Sequence, residues 1–260
     1  MKTIHRLRGP VAAGLMALAV FSSCSKNDNG DTPLNKTYKI TAYNASSQIS
    51  GTLSVKEVLH TDSVWLTIQL QGTSTDGSYP VVVRQGTSIE DGPVAFDLGF
   101  VDGQNPTLTK EIAMSFSDFI KYNGCVDIYR NPNDLATIVA QSEIGSNETY
   151  KAFDMVDPNQ GNGKTINGQF RIYKRTNGAY LVVKVDTSAT GMGLGTPHPA
   201  RVYQANGQRD FDLNPVADSS GVSATDITDH TFSELSSYSG TLKVLQSDQQ
   251  QDVVISQGSF

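Results

Sequence analysis

Few residues of this chain carry the chemistry that catalysis or metal binding needs, and their spacing limits it further. Beyond the first few residues there are three imidazoles, His60, His198 and His230, far apart in sequence. Asp226-Ile227-Thr228-Asp229-His230 gathers two carboxylates and an imidazole within five residues, so Asp226, Asp229 and His230 are the candidate cation ligands; the alternative is a solvated loop. Asp210-Phe211-Asp212 alternates as a strand does, with both carboxylates on one face and Phe211 in the core; solvated acids on an outer face are expected there. Serine is plentiful, but the chain has no Gly-x-Ser-x-Gly elbow to present a nucleophile between a strand and a helix. Cys125 reads as a small buried hydrophobe rather than a reactive thiol. Trp65 and the tyrosines have rings that stack on sugars, yet Trp65 lies in an alternating strand and reads as core or sheet-face packing. The expectation is a chain with no catalytic set, no metal site and no cofactor.

The N-terminus has a different chemistry. Lys2, Arg6 and Arg8 precede a short apolar run, Val11 to Phe21, then the small residues Ser22 and Ser23, then Cys24. A run this short falls below the roughly 20 apolar residues that span a bilayer, and it reads as a signal-peptide core over residues 1–23. A cysteine directly after small residues resembles a bacterial lipobox, in which the thiol is acylated and becomes the new N-terminus. Cys24 is therefore the expected lipidation site, and the membrane, through that anchor, the first expected partner. An ordinary secretory signal with an incidental cysteine is the alternative. Residues 24–36 resemble the polar tether of Bacteroidetes outer-membrane lipoproteins. Acidic residues behind the cysteine direct export to the cell surface in that group, and here Asn and Gly interrupt them.

Three basic groups and no acids fall in residues 1–23, so their removal moves the formal charge from −6 to −9. An acidic chain without a Lys/Arg run has no electrostatic footprint for nucleic acid. With Cys24 acylated only Cys125 remains, which leaves no intrachain disulfide.

What positions these residues is a repeat. Ser115 to Tyr129 returns, without a gap, as Thr231 to Leu245: Phe116 meets Phe232, Tyr122 meets Tyr238, and Gly124 meets Gly240. Other matches are Thr37-Tyr38-Lys39 with Thr149-Tyr150-Lys151, Ile49-Ser50-Gly51 with Ile166-Asn167-Gly168, Tyr79-Pro80 with His198-Pro199, and Phe96-Asp97-Leu98 with Phe211-Asp212-Leu213. Short alternating segments rich in β-branched and aromatic residues, such as Val64 to Leu70 and Ala179 to Val185, read as strands. The only helix-like signals are short turns at Ser117–Lys121 and Ser233–Ser237, with serine as N-cap. Six to eight strands per copy predict an all-β protein of two tandem antiparallel Greek-key β-sandwich domains related by internal duplication, residues 37–148 and 149–260.

Each copy is similar to the CHRD domain, itself a relative of the Cu,Zn superoxide dismutase sandwich. In copy one the similarity is carried by Ile49-Ser50-Gly51, Leu66-Thr67-Ile68, Tyr79-Pro80, Gly92-Pro93-Val94, Tyr122-Asn123-Gly124 and the stretch from Asp134 to Gly145. Copy two is matched mainly through the duplication. Many members of that family carry His-x-His after the Tyr-Pro pair and a further histidine in the strand after the Tyr-x-Gly turn. This chain has Val81-Val82-Val83-Arg84 and Tyr129 there, and Ala200-Arg201-Val202-Tyr203 and Leu245 in copy two. A copper–zinc pair is held largely by imidazole nitrogen, so the resemblance implies a fold without the family's metal site.

Two smaller features complete the reading. Asp62-Ser63-Val64 resembles the short O-glycosylation acceptor of exported Bacteroidetes proteins, which makes Ser63 a candidate. The loops Thr73–Ser78 and Thr187–Thr196 are expected at one end of each sandwich, where loops on a rigid scaffold build contacts. The expected role is a non-catalytic, lipid-anchored envelope protein presenting loops to a protein or glycan partner. A surface glycan-binding accessory protein is the rival, and a degenerate enzyme on a dismutase-like fold the third reading.

Overall fold

Strand faces follow from alternation: Val64-Trp65-Leu66-Thr67-Ile68-Gln69-Leu70 buries every second side chain and turns the others outward. The computed structural model describes residues 32–159, 166–186 and 196–260. The signal segment 1–23, Cys24 and all but the last residue of the Thr187–Thr196 loop lie outside the described residues.

The first half holds β1 (Asn35–Ala42), β2 (Ser50–Glu57), β3 (Val64–Gln71), β4 (Ser78–Gln85), β5 (Val94–Asp102), β6 (Thr107–Ile112), α1 (Phe116–Phe119), β7 (Asn123–Asn131) and β8 (Asp134–Gly145). The second holds β9 (Tyr150–Met155), β10 (Gly168–Lys174), β11 (Ala179–Val185), β12 (His198–Gln204), β13 (Arg209–Val216), β14 (Val222–Ile227), α2 (Phe232–Ser236), β15 (Gly240–Ser247) and β16 (Gln250–Ser259). The fold is all-β, and every strand pairing described is antiparallel.

Two layers face each other in each half. The first half orders its strands β6-β3-β2-β1 and β5-β4-β7-β8, joined at one side where β1 pairs with β8 through Thr41–Gln141 and Ala42–Ala140. The second orders them β14-β11-β10-β9 and β13-β12-β15-β16, with the bridge Val156–Gln257 at the equivalent seam. The strand order of one half is thus that of the other. Leu53, Leu66 and Ile68 meet Val81, Val126 and Ile128 in one core; Phe170, Leu181 and Val183 meet Val202, Leu242 and Val244 in the second.

The residues shared by the two halves have steric reasons. A Cβ on Gly124 would lie 2.4 Å from the Tyr122 ring, and one on Gly240 2.3 Å from the Tyr238 ring, so each Tyr-x-Gly turn folds its tyrosine over a bare backbone. Cβ atoms on Gly51 and Gly168 would fall 2.0 and 2.3 Å from the Gln69 and Lys184 carbonyl oxygens of the neighbouring strand. The helical turns start one residue pair earlier than the serines at 117 and 233 indicate: Ser115 and Thr231 are the N-caps, and Thr231 with Glu234 forms a capping box.

Register corrects one of the sequence matches. Tyr38 lies opposite Leu53 and faces the core, 2 % exposed, whereas the residue opposite Phe170 in the second half is Phe153. Tyr38 therefore corresponds to Phe153 and not to Tyr150, which stands opposite Tyr173 and is 42 % exposed. The Thr-Tyr-Lys match fails because one face of a strand must be apolar, and that face is set by Phe153 and Met155.

Candidate functional site

The strongest grouping of ionisable side chains lies where the halves meet, and none of the imidazoles is part of it. Glu143, on the outer face of β8, is closely enclosed, its side chain 5 % exposed. One of its oxygens accepts from the Ser88 hydroxyl at 2.7 Å, the Ser88 amide at 3.1 Å, Arg171 Nη1 at 3.0 Å and the Tyr173 hydroxyl at 2.9 Å. Ser88 belongs to the β4–β5 loop, Arg171 and Tyr173 to β10, so one carboxylate ties a strand and loop of the first half to a strand of the second. Burial pushes the Glu143 carboxyl above the usual carboxylate range, and the donors from Ser88, Arg171 and Tyr173 pull it part of the way back.

More links surround this one. Ile89, at the tip of the same loop, packs with buried Tyr173 and Val182 on the outer face of β10 and β11. The Tyr180 hydroxyl donates to Glu90 at 2.6 Å, and Lys184 pairs with Asp91 at 3.2 Å. Asn147, fully buried, donates to the Gly86 and Gly124 carbonyls and accepts from Arg175 at 2.9 Å. Beneath the loop, Arg84 pairs with Asp127 at 2.9 Å and donates to the Tyr129 hydroxyl, while Gln141 donates to Asp127 at 2.8 Å. Burial raises the Asp127 carboxyl against the pull of Gln141 and Arg84. Cys125, 1 % exposed, lies on this face; burial, then Asp127 and Glu143, push its thiol up, away from the reactive thiolate.

A cleft of about 250 Å³ opens over these groups. Ser88, Glu143 and Arg171 lie at its polar base, and Lys39, Thr41 and Gln141 line it from β1 and β8. Tyr43 and Tyr150, 53 % and 42 % exposed, also line it. The Arg171 guanidinium stands 5.1 Å from the Tyr150 ring centroid, and the Tyr173 ring is 5.4 Å away, so Tyr150 is held in place.

The residues singled out from sequence lie elsewhere. Asp226 is a strand residue rather than part of a loop: it sits on β14 opposite Tyr180, as Glu111 sits opposite Trp65. Asp229 follows in the turn, where the Thr228 hydroxyl donates to it, and His230 lies against Phe211 with ring centroids 5.1 Å apart. His198 is buried, its Nδ1 2.7 Å from the Gln246 carbonyl and its Nε2 3.4 Å from Asp218. Among the described residues no three His, Cys, Asp or Glu side chains gather as a metal site would require. Asp210 bonds to the Tyr238 hydroxyl, and Asp212 to Arg209 and Arg201. The Ser63 hydroxyl, in a residue only 9 % exposed, donates to Glu111 at 2.5 Å and shares a bond with Thr61. The Thr73–Ser78 turn closes on the Tyr79 hydroxyl, which accepts from the Ser74 amide at 2.9 Å. Trp65, 40 % exposed, faces outward from β3 and takes no part in the core.

No family model matches the chain, and no curated protein matches it.

Sequence reasoning missed the junction, although a signal for it was present. Aligned through Gly51 and Gly168, the outer face of β10 carries Arg171 and Tyr173 where β2 carries Ser54 and Lys56. The β4–β5 connection runs eight residues, 86–93, against four, 205–208, between β12 and β13. Residues that differ between otherwise matching copies are the ones that join them.

Proposed function

We propose that this is a lipid-anchored cell-envelope protein whose two CHRD-like sandwiches act together as a non-catalytic binding or structural module. The observation that carries the reading is the Glu143 cluster: the buried ionisable groups that catalysis would use are bonded to one another across the junction. A carboxylate oxygen accepting from Ser88, Arg171 and Tyr173 at once is held by structural donors. The strand positions where CHRD-like domains carry imidazoles support the same reading. Here Arg84 is tied to Asp127 and Tyr129, a neutralised pair in place of metal ligands.

The anchor rests on the N-terminal sequence, residues 1–23 followed by Cys24. Among the described residues no helix is long and apolar enough to cross a membrane. Acylation at Cys24 would hold the protein at the outer membrane, with a tether shorter than the expected 24–36, because Asn35 and Lys36 already pair with Lys56 and Val55 as the start of β1. The test is fractionation of cells expressing the full chain or its Cys24→Ala variant. The wild type is expected in the outer-membrane fraction with a lipid-bearing mass, and the variant in the soluble fraction. A variant still in the membrane at the same yield would remove the anchor from the proposal.

A glycan partner is the second reading, and the cleft favours it: two exposed tyrosine rings lie beside hydrogen-bonding side chains.

A further inference from the structure

We propose that the junction cleft is a saccharide subsite that seats one pyranose ring of a glycan against Tyr43 and Tyr150. The assignment rests on the reading of the chain as a binding module and names the ligand class and the place.

A pyranose has C–H faces and a rim of hydroxyls. It asks for a flat aromatic face, whose negative π-cloud meets the C–H groups, with amide, hydroxyl or ammonium groups at the side. The cleft supplies both: Tyr43 and Tyr150 as rings, Gln141, Thr41 and Lys39 as polar neighbours. Its volume of about 250 Å³ lies below the roughly 300–1,000 Å³ of pockets for drug-sized ligands, which suits a single ring. Tyr150 is fixed by Arg171 and Tyr173 before any ligand arrives, so little ordering cost attends stacking on it.

Charge narrows the class. The two carboxylates of the cleft are committed, Glu143 to Arg171 and Glu148 to Lys36 at 2.7 Å, so an organic cation finds no counter-charge. Lys39 makes no ion pair among the described residues and is free to meet a hydroxyl or a uronate. The ligand is therefore neutral or acidic. A chain leaving the cleft over β1 meets the outer face of the first half, where Thr37, Ser54, Thr67 and Thr109 stand opposite one another in a row across four strands. That row of hydroxyls leads toward the face that also carries Trp65 and suits a polysaccharide better than a free sugar.

The experiment is affinity electrophoresis of the full-length protein in detergent, through native gels holding lichenan, mannan or polygalacturonate. Retardation is expected in at least one gel. Tyr43→Ala should lose about tenfold in affinity, while Tyr43→Phe, which keeps the ring, should stay within about threefold. Tyr150→Ala should act likewise, and because its ring also packs on Tyr173, the freely exposed Tyr43 decides if that variant misfolds. Retardation by polygalacturonate alone, weakened by Lys39→Gln, identifies a uronate; retardation by lichenan or mannan identifies a neutral hexose. No retardation in any gel, or an unchanged Tyr43→Ala, overturns the subsite. Such a failure is separable from that of the module, since calorimetry of the full-length protein reads the joining of the two sandwiches and Cys24→Ala fractionation reads the anchor.

Discussion

At the scale of single residues the molecule turns on Glu143. A carboxylate removed from water costs several kcal/mol unless its charge is met, and here Arg171 and two hydroxyls meet it. Removing the cation is therefore worse than removing the charge pair: Arg171→Ala should cost about 3–5 kcal/mol, read from urea melts. Glu143→Gln leaves the Arg171 charge unpaired, but it should cost less, because the Gln carbonyl oxygen still accepts from Ser88, Arg171 and Tyr173. It should also change the pH dependence. Burial raises the folded-state pKa of Glu143 above its ordinary 4.5, so the native state holds that proton more tightly than the unfolded chain does. The stability this contributes is fully present below 4.5 and is lost as pH rises through the folded value. As pH rises above 4.5 the Glu143→Gln protein should show a shallower fall in stability than the wild type, with the slope from Asp127, raised in the same way, remaining. Asp210 and Glu234 shift downward, the first mainly through Tyr238 and the second through Thr231, so their stabilisation is lost only at lower pH and leaves this window clear. Equal slopes for wild type and variant would place the pH dependence on other groups.

Elements explain which parts were legible in the sequence. Strands with an apolar core face announced themselves: β3 lies at Val64 to Leu70, and β11 at Ala179 to Val185, where Val182 is buried on the outer face as well, beneath Ile89. The edge strands β6 and β14 did not, because Thr107–Ile112 and Val222–Ile227 each bury few side chains and are rich in polar ones. Asp226 looked like loop for that reason. The Tyr-x-Gly turn was legible as a repeat, and its cause is the ring over the glycine. Gly124→Ala should then destabilise clearly, by about 1–3 kcal/mol for overpacking, because the Tyr122 ring and the Arg84 carbonyl lie on the glycine's Cβ side. A melt indistinguishable from wild type would show that the turn has room to shift. The cleft was illegible for a different reason: Tyr150 matched Tyr38 in letters, and only strand register sends one ring to the core and the other to the surface.

For the whole molecule, residues Pro33–Phe260 form one compact unit, and the junction gives that unity a mechanism. An apolar plug at Ile89, the Glu143 cluster and the Asn147–Arg175 pair act on one shared face. The cleft exists only while that face is closed, since Lys39 and Gln141 come from one half and Tyr150 and Arg171 from the other. A binding surface built across two sandwiches needs them to unfold and move as one. Shortening the β4–β5 connection by removing Ser88–Asp91, to the four-residue length found between β12 and β13, deletes Ile89 and Ser88 together. That variant should uncouple the halves.

Differential scanning calorimetry of the full-length protein beside this shortened variant tests the coupling most directly. The wild type should melt in one transition, with calorimetric and van't Hoff enthalpies equal, and the variant in two. Two transitions in the wild type, each with about half the total enthalpy, would contradict a fused body and leave the cleft without a fixed geometry.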